Sequence, residues 1–545
     1  MDNAIEFIGK RMSIGLVDGA MEYTGLVTSV DLQKGTGAAG TMVVSGHGPS
    51  VLLANSVQCL SYEEGTPLSH VASDTLDGHS GEIVKAVMGA GTDIALPFTV
   101  QYNESDLSFL QRLCRKYGLW LYHNGRDYCI GRSGSQQIKG TYGVDVTAFN
   151  LSTSLRGSGS EVSGHDWTRD DLLETPSSAF SPKSGHPYFG QVKKESDLAF
   201  AKRGRYDHSA GQHEYGRQTG MDTATEVTAI GAAAGMVTAT GVSEIVDLRV
   251  ADILALQGLD FTDASNRHTF GNYDITRIVH SFDHSGHYQN RFEAIPADTD
   301  HPPCSDGFAV PFAADQRGRV LDNADPNGLG RVKVQFPWQR QISASTPWIK
   351  TSTPYAGSGR GFYFVPEKGE EVLVGFEGGN PEKPYVIGGG FNANAKSGFA
   401  DSGNNIKAIR TRSGHTIELN DTEGGEMITI NDKNGNSIHI NTSEGKMVFT
   451  AQGDMEFSAK NIRFNVQEDM DVAIGGSKKE SIKETYELVT KDSKERVFNN
   501  KEIRISKKLE QVSGESLVQT TRGEMLIDSK GKLTLQSKDA VDYGG

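Results

Sequence analysis

From about residue 396 onward the chain is a succession of short apolar doublets, two large apolar residues flanking one other residue. They are Ile417/Leu419, Ile428/Ile430, Ile438/Ile440, Met447/Phe449, Met455/Phe457, Ile462/Phe464 and Val472/Ile474, then Met525/Ile527 and Leu533/Leu535. Several successive doublets lie eight residues apart, and turn-forming stretches such as NDKNGNS, TSEGK, AQGD and DSKGK fill the gaps. Alternation over so few residues specifies strands that donate two or three apolar side chains each before the chain turns. A strand of that kind cannot bury its apolar face alone. Winding three identical chains around one axis brings each inward residue against its symmetry mates and pairs the strand edges between chains. The expectation is therefore an intertwined, triple-stranded β-helix, or prism, over residues 397–545. Its trimer core would hold Ile428, Ile430, Ile438, Ile440, Phe449, Phe457, Phe464, Ile474, Ile527 and Leu535. Between residues 477 and 515 the doublets blur and Lys and Glu dominate. A helix is the competing reading there, but Ile503/Ile505 resume the pattern and favour continued β structure.

The remaining chain is read in pieces, because 545 residues exceed what one core can organise. Residues 1–305 mix short alternating strands with one clear helix. Asn103, Glu104, Ser105 and Asp106 supply capping chemistry, and Leu107, Leu110, Leu113 and Tyr117 share one face until Gly118 stops the turn. LWLYHNG and DYCIG then read as a hairpin around Asn124-Gly125, giving an α+β unit. AIPADTDHPPCSD breaks both periodicities and marks a boundary near residue 305. In residues 306–396, GRVKVQFPWQ, TPWIKTSTP, GFYFVP, EEVLVGFEGG and PYVIGGG read as five short strands, the count of a small OB-type barrel. The fold class is thus mainly β with an α+β first domain.

Charge excludes one class of partner. Fifty-four Lys and Arg against 69 Asp and Glu give a net charge of −15, which repels a phosphate backbone, so no nucleic-acid partner is expected. No apolar run approaches the ~18 residues of a membrane span, and MDNAIEFIGKRMSIG lacks the pattern of a secretory signal. Cys59, Cys114, Cys129 and Cys304 show no metal-ligand spacing and read as ordinary buried thiols.

Three segments carry a resemblance. ESDLSFLQRLCRKYGLWLYHNGRDY (residues 104–128) resembles the helix-hairpin segment of the VgrG family, the spikes of type VI secretion, which are related to the hub and needle of contractile phage tails. Residues 330–396, with GNPEKPYVIGGG, are similar to that family's OB-fold signature, and IRTRSGHTIELNDTEGGEMITIND (residues 409–432) to the start of its needle. The resemblance implies a phage-hub-like domain with an abbreviated start, an OB barrel and a needle, assembled as a homotrimer with no enzyme activity and no cofactor. It implies an Hcp-like tube protein and a baseplate at the hub, carried effectors, and a PAAR-type tip protein at Lys538, Asp539, Ala540, Val541, Asp542 and Tyr543. It also implies assembly in the bacterial cytoplasm, then expulsion by contraction to the extracellular space or a target cell. A phage-tail or extracellular-particle spike, or a spike whose prism binds surface glycans, is the alternative. No toxin domain is expected after the last doublet, and no lysozyme-like domain fits between barrel and prism.

Other constellations yield to simpler readings. His280, Asp283, His284 and His287 lie within eight residues, yet the flanking ITRIV and YQNRFEAIP alternate as strands, so the group is read as a hairpin and not as a metal cluster. Gly388-Gly389-Gly390 lacks the GxxxxGK[ST] frame of a phosphate loop, and no GxSxG elbow is present to support Ser69-His70 as part of a triad. Asp421, Glu423, Glu426 and Asp432 are the carboxylates that a polysaccharide-cleaving β-helix would need. They sit in turns beside Asn and Gly, and a narrow prism offers no cleft in which to perturb them.

Overall fold

The computed structural model describes residues 5–15, 22–36, 40–81, 83–208, 217–259, 266–539 and 541–542, which divide between two units, residues 1–450 and 451–545.

The first unit begins with an antiparallel three-stranded sheet, Arg11–Gly15, Glu22–Lys34 and Gly40–His47. The helix Asp106–Lys116 follows, capped by the Ser105 hydroxyl, which accepts the Ser108 N–H. Its Phe109, Leu110, Leu113 and Cys114 pack with Leu53, Leu68, Val71, Leu96 and Ile130 in one core. Gly118 ends it at φ +65, where a Cβ would stand 2.3 Å from the His301 ring. The hairpin follows, with Leu121–His123 paired to Tyr128–Ile130 and the Asn124 side-chain oxygen accepting the N–H groups of Arg126 and Asp127.

Behind it stands a six-stranded sheet in the order Val146–Thr153, Val237–Ser243, Tyr288–Pro296, Arg267–Phe282, Ile253–Leu259, Gln137–Thr141, antiparallel except at its last pair. Leu254, Leu256, Tyr273, Ile275 and Phe292 form its core. The expectation of one clear helix in this region is corrected: Leu68–Leu76, Phe189–Ala199 and Arg217–Ala234 are also helical. Arg217–Ala234 is rich in Thr and Gly, poor helix formers, and it is held by burial of Met221, Thr225, Val227 and Ala233. The thiol reading holds in part: Cys114 and Cys129 are buried, whereas Cys59 is half-buried and Cys304 exposed.

The barrel differs in detail from the five predicted strands. Its sheet runs Lys333–Gln335, Gln316–Asp322, Glu371–Phe376, Pro384–Gly389, and the strand Gln316–Asp322 was not anticipated. The TPWIKTS segment closes the circle by isolated bridges, Val332 to Ile349 on one side and Thr351 to Val386 on the other. GFYFVP is no barrel strand. Only Arg360–Gly361, just at its start, pairs, in a two-residue hairpin with Ala356–Gly357, and Phe362, Tyr363 and Phe364 stay exposed. Val320, Val334, Phe336, Val372, Val374 and Val386 fill the interior.

The unit ends in a five-stranded antiparallel meander, Ile406–Arg410, Thr416–Asn420, Met427–Asn431, Ser437–Asn441 and Lys446–Thr450. In the second unit no described residue belongs to a helix or strand. The chain instead bends at 452–453, 460, 467–468, 475–476, 483–484, 491, 498–499, 506–507, 514–515, 522–523, 530–531 and 538–539. The same rhythm of seven or eight residues passes through 477–515, where no helix forms.

Candidate functional site

The meander aligns the sequence doublets into two apolar rows. Ile409 is paired with Ile417, Ile417 with Ile430, Ile430 with Ile438, and Ile438 with Phe449. The second row runs Leu419, Ile428, Ile440, Met447. Residues directly opposite in an antiparallel ladder project from the same face, so both rows lie on one side of the sheet. In a stable sheet this face would be covered, yet Ile430 is 43% and Phe449 56% exposed. The intervening residues Glu418, Thr429 and His439 occupy the other face.

Of the predicted core residues, Ile428, Ile430, Ile438, Ile440 and Phe449 are thus brought together on one surface. Phe457, Phe464, Ile474, Ile527 and Leu535 lie in the second unit, all exposed, with Phe457 and Phe464 each at 72%. Among the described residues no backbone hydrogen bond joins one part of 451–539 to another. Chain without backbone-to-backbone pairing of its own and with bare phenylalanines is the kind of surface that a partner covers. Of the predicted tip residues, Lys538, Asp539, Val541 and Asp542 are exposed around the last bend, and Ala540 and Tyr543 lie outside the described residues.

The candidate chemical groups are engaged structurally. Asp432 accepts hydrogen bonds from the N–H groups of Asn434 and Asn436 and from the Asn436 side chain, which hold its carboxyl below the usual range, the reverse of what a general acid needs. Asp421 accepts from Lys407 at 2.9 Å. In the histidine group, Asp283 caps the turn by accepting the Ser285 and His287 N–H groups, but His280 stands on the strand, between the hydroxyls of Tyr23 (3.2 Å) and Tyr288 (2.7 Å). Among the described residues no group of three metal-ligating side chains converges. No described helix is long and apolar enough to cross a membrane.

One cluster was missed from the sequence. Arg112, on the Asp106–Lys116 helix, donates to Glu104 at 2.8 Å and to Glu382 of the barrel at 2.9 Å, and Lys116 lies 3.4 Å from Glu382. Arg112 and Glu382 are both buried. The signal available was a basic pair at i and i+4 on the helix; the partner of Arg112 lies 270 residues away.

Residues 3–286 match the phage tail baseplate hub (GPD) family, more than half of the chain, and residues 316–391 match the type VI secretion system/phage-baseplate injector OB domain. The actin cross-linking toxin VgrG1 of Vibrio cholerae is 26% identical over 324 residues, 54% of this chain and 28% of that protein. The type VI secretion system spike protein VgrG3 of Vibrio cholerae is 30% identical over 139 residues, 24% of this chain and 13% of that protein. The chain thus spans less than a third of these relatives' lengths. Among solved structures, a Francisella PdpA-VgrG complex aligns with 79% of this chain and 68% of its own at 11% identity and a TM-score of 0.49. With its hub region matched over more than half of the sequence and an injector OB domain following it, the chain belongs to the phage tail baseplate hub (GPD) family, and the relatives it resembles include VgrG spike proteins.

Proposed function

We propose that three copies of this chain assemble into the puncturing spike of a contractile injection system, with residues 397–545 as an intertwined β-helix needle. The observation that carries this reading is the bare apolar ladder on the meander, continued by the unbroken bend rhythm and exposed apolar residues of 451–539. Half-exposed Ile, Leu and Phe side chains gain roughly 1–2 kcal/mol each when buried, and the unpaired backbone of the second unit gains its hydrogen bonds in the same step. A three-chain axis supplies both. Backbone ladders wound about a dry core resist bending, so axial force is transmitted to a target membrane instead of deforming the tip.

In this reading the hub continues a tube of Hcp-like protein on a baseplate. The far end, at Lys538, Asp539, Ala540, Val541, Asp542 and Tyr543, carries a PAAR-type tip protein, and effectors ride on either. The spike assembles in the bacterial cytoplasm, leaves by contraction, and has no enzymatic role of its own. Light scattering on the purified full chain is expected to give three times the 58.9 kDa chain mass. A folded, soluble monomer would sink the proposal.

A further inference from the structure

The barrel carries a second bare apolar surface. Residues 353–365 leave it as an arm whose tip is the two-residue hairpin Ala356–Gly357 with Arg360–Gly361. The arm is fixed in shape: Gly361 takes φ +135, where a Cβ would stand 2.5 Å from the Tyr355 carbonyl oxygen, Phe362 donates its N–H back to that oxygen at 2.9 Å, and Thr353 donates its hydroxyl to the Phe362 carbonyl at 2.9 Å. Four aromatic side chains stand out from it, Tyr355, Phe362, Tyr363 and Phe364, the last two 77% and 62% exposed. With Leu329 they line a groove of about 1000 Å³ whose single charged residue is Arg360. Aromatics with Arg, and without Lys, Asp or Glu, is the composition of the buried centre of a protein interface.

The groove also includes Ala408 and Ile409 of the first meander strand. Ile409 opens the apolar row that continues through Ile417, Ile430 and Ile438 to Phe449. Arm and ladder are therefore one continuous apolar surface. Whatever covers the ladder reaches the groove, and a different protein seated there would collide with the chain that covers Ile409.

We infer that the aromatic arm 353–365 is a collar contact between copies of this chain: each copy's arm and groove receive the neighbouring copy, locking the three barrels together where the needle begins. This rests on the trimeric reading above and assigns it a contact outside the needle. A head-to-tail contact of this kind closes after three copies and leaves no arm bare. The aromatic anchors, rigid and bulky, fix the rotational register from which three needle strands can start winding in step.

The test places the photoreactive residue p-benzoylphenylalanine at Tyr363 in the full-length protein, a change of one aromatic ring for another, and in a second variant at Phe457. After irradiation, the Tyr363 variant is expected to give covalent dimer and trimer bands, with mass spectrometry locating the captured peptide in residues 328–450 of another copy. Crosslinks between copies at Phe457 together with only monomer-mass product at Tyr363 would overturn the arm contact and leave the trimer standing. Monomer mass from both variants would overturn both. Capture of a different protein at Tyr363 would show that the groove serves another occupant, and the inference would fail.

Discussion

Glu382 sits in the GNPEKP turn of the barrel yet finds its partners, Arg112 and Lys116, on the hub helix. Burial works against ionisation of its carboxyl, and the two cations outweigh that cost, holding it below the usual carboxylate range. Arg112 also donates to the Val100 carbonyl and to Glu104, so each of its arms is occupied. Such a cluster is worth little against an apolar replacement, but removing one member leaves a charge stranded in the interior. Glu382→Ala is expected to destabilise the first unit by about 3–5 kcal/mol in urea unfolding, and Arg112→Met with Glu382→Leu to recover much of that loss. His280 makes a second residue-level prediction. Burial, assisted by nearby Arg249, lowers its pKa to about 4 from 6.5, so below pH 6.5 the unfolded chain takes up a proton that the folded chain refuses. Its contribution is complete above pH 6.5 and is lost as pH falls toward 4, by about 1–3 kcal/mol after allowance for partial solvent screening. Urea midpoints between pH 7.5 and 4.5 should show this decline, and His280→Gln should flatten it. An unchanged slope in the variant would mean that other groups carry the acid sensitivity.

Secondary-structure elements whose chemistry is local were legible in the sequence, and those held by distant partners were not. The helix Asp106–Lys116 could be read because its cap, its apolar face and its Gly118 stop lie within sixteen residues of Asn103. The hairpin Leu121–His123 with Tyr128–Ile130 announced itself through Asn124-Gly125. The strands of the meander were written in the doublets, but not their pairing: the edges were expected to pair between chains, whereas short turns fold Ile428 opposite Ile440 and Ile430 opposite Ile438 of the same chain. By contrast, Arg217–Ala234 has Thr at four positions and Gly at two others and is helical because its surroundings bury it. The barrel strand Gln316–Asp322 was hidden because QRGRVLD has two apolar residues and draws its stability from pairing with Glu371–Phe376. GFYFVP was misread because three consecutive aromatics look like a buried strand. They are exposed in the single chain, and nothing in a periodicity distinguishes a residue that faces its own core from one that faces a neighbour. The Arg112–Glu382 pair was illegible for the same reason of distance.

At the scale of the whole molecule, apolar surface that the chain does not cover itself follows one order along the sequence: the arm on the barrel, the two rows of the meander, then doublet after doublet to Leu533 and Leu535. In the proposed trimer, that order separates holding three chains together from what is attached beyond the last doublet. Residues 536–545 follow the last doublet, and of the described ones only Val541 is a large apolar residue, 44% exposed. In the proposed trimer the described ones contribute one large apolar position per chain after Ile527 and Leu535, so the assembly is expected not to depend on them. In that proposed winding, however, the backbone groups beyond the last doublet would be sheet edges that a cap can pair. Deletion of residues 536–545 is therefore expected to leave the trimeric mass unchanged by light scattering. The same deletion is expected to abolish binding of a PAAR-type tip protein measured by calorimetry or pull-down. Retained tip binding would move that contact away from Lys538, Asp539, Val541 and Asp542. Loss of the trimer would show instead that the last turn holds the three strands in register, as a clasp at the distal end of the winding.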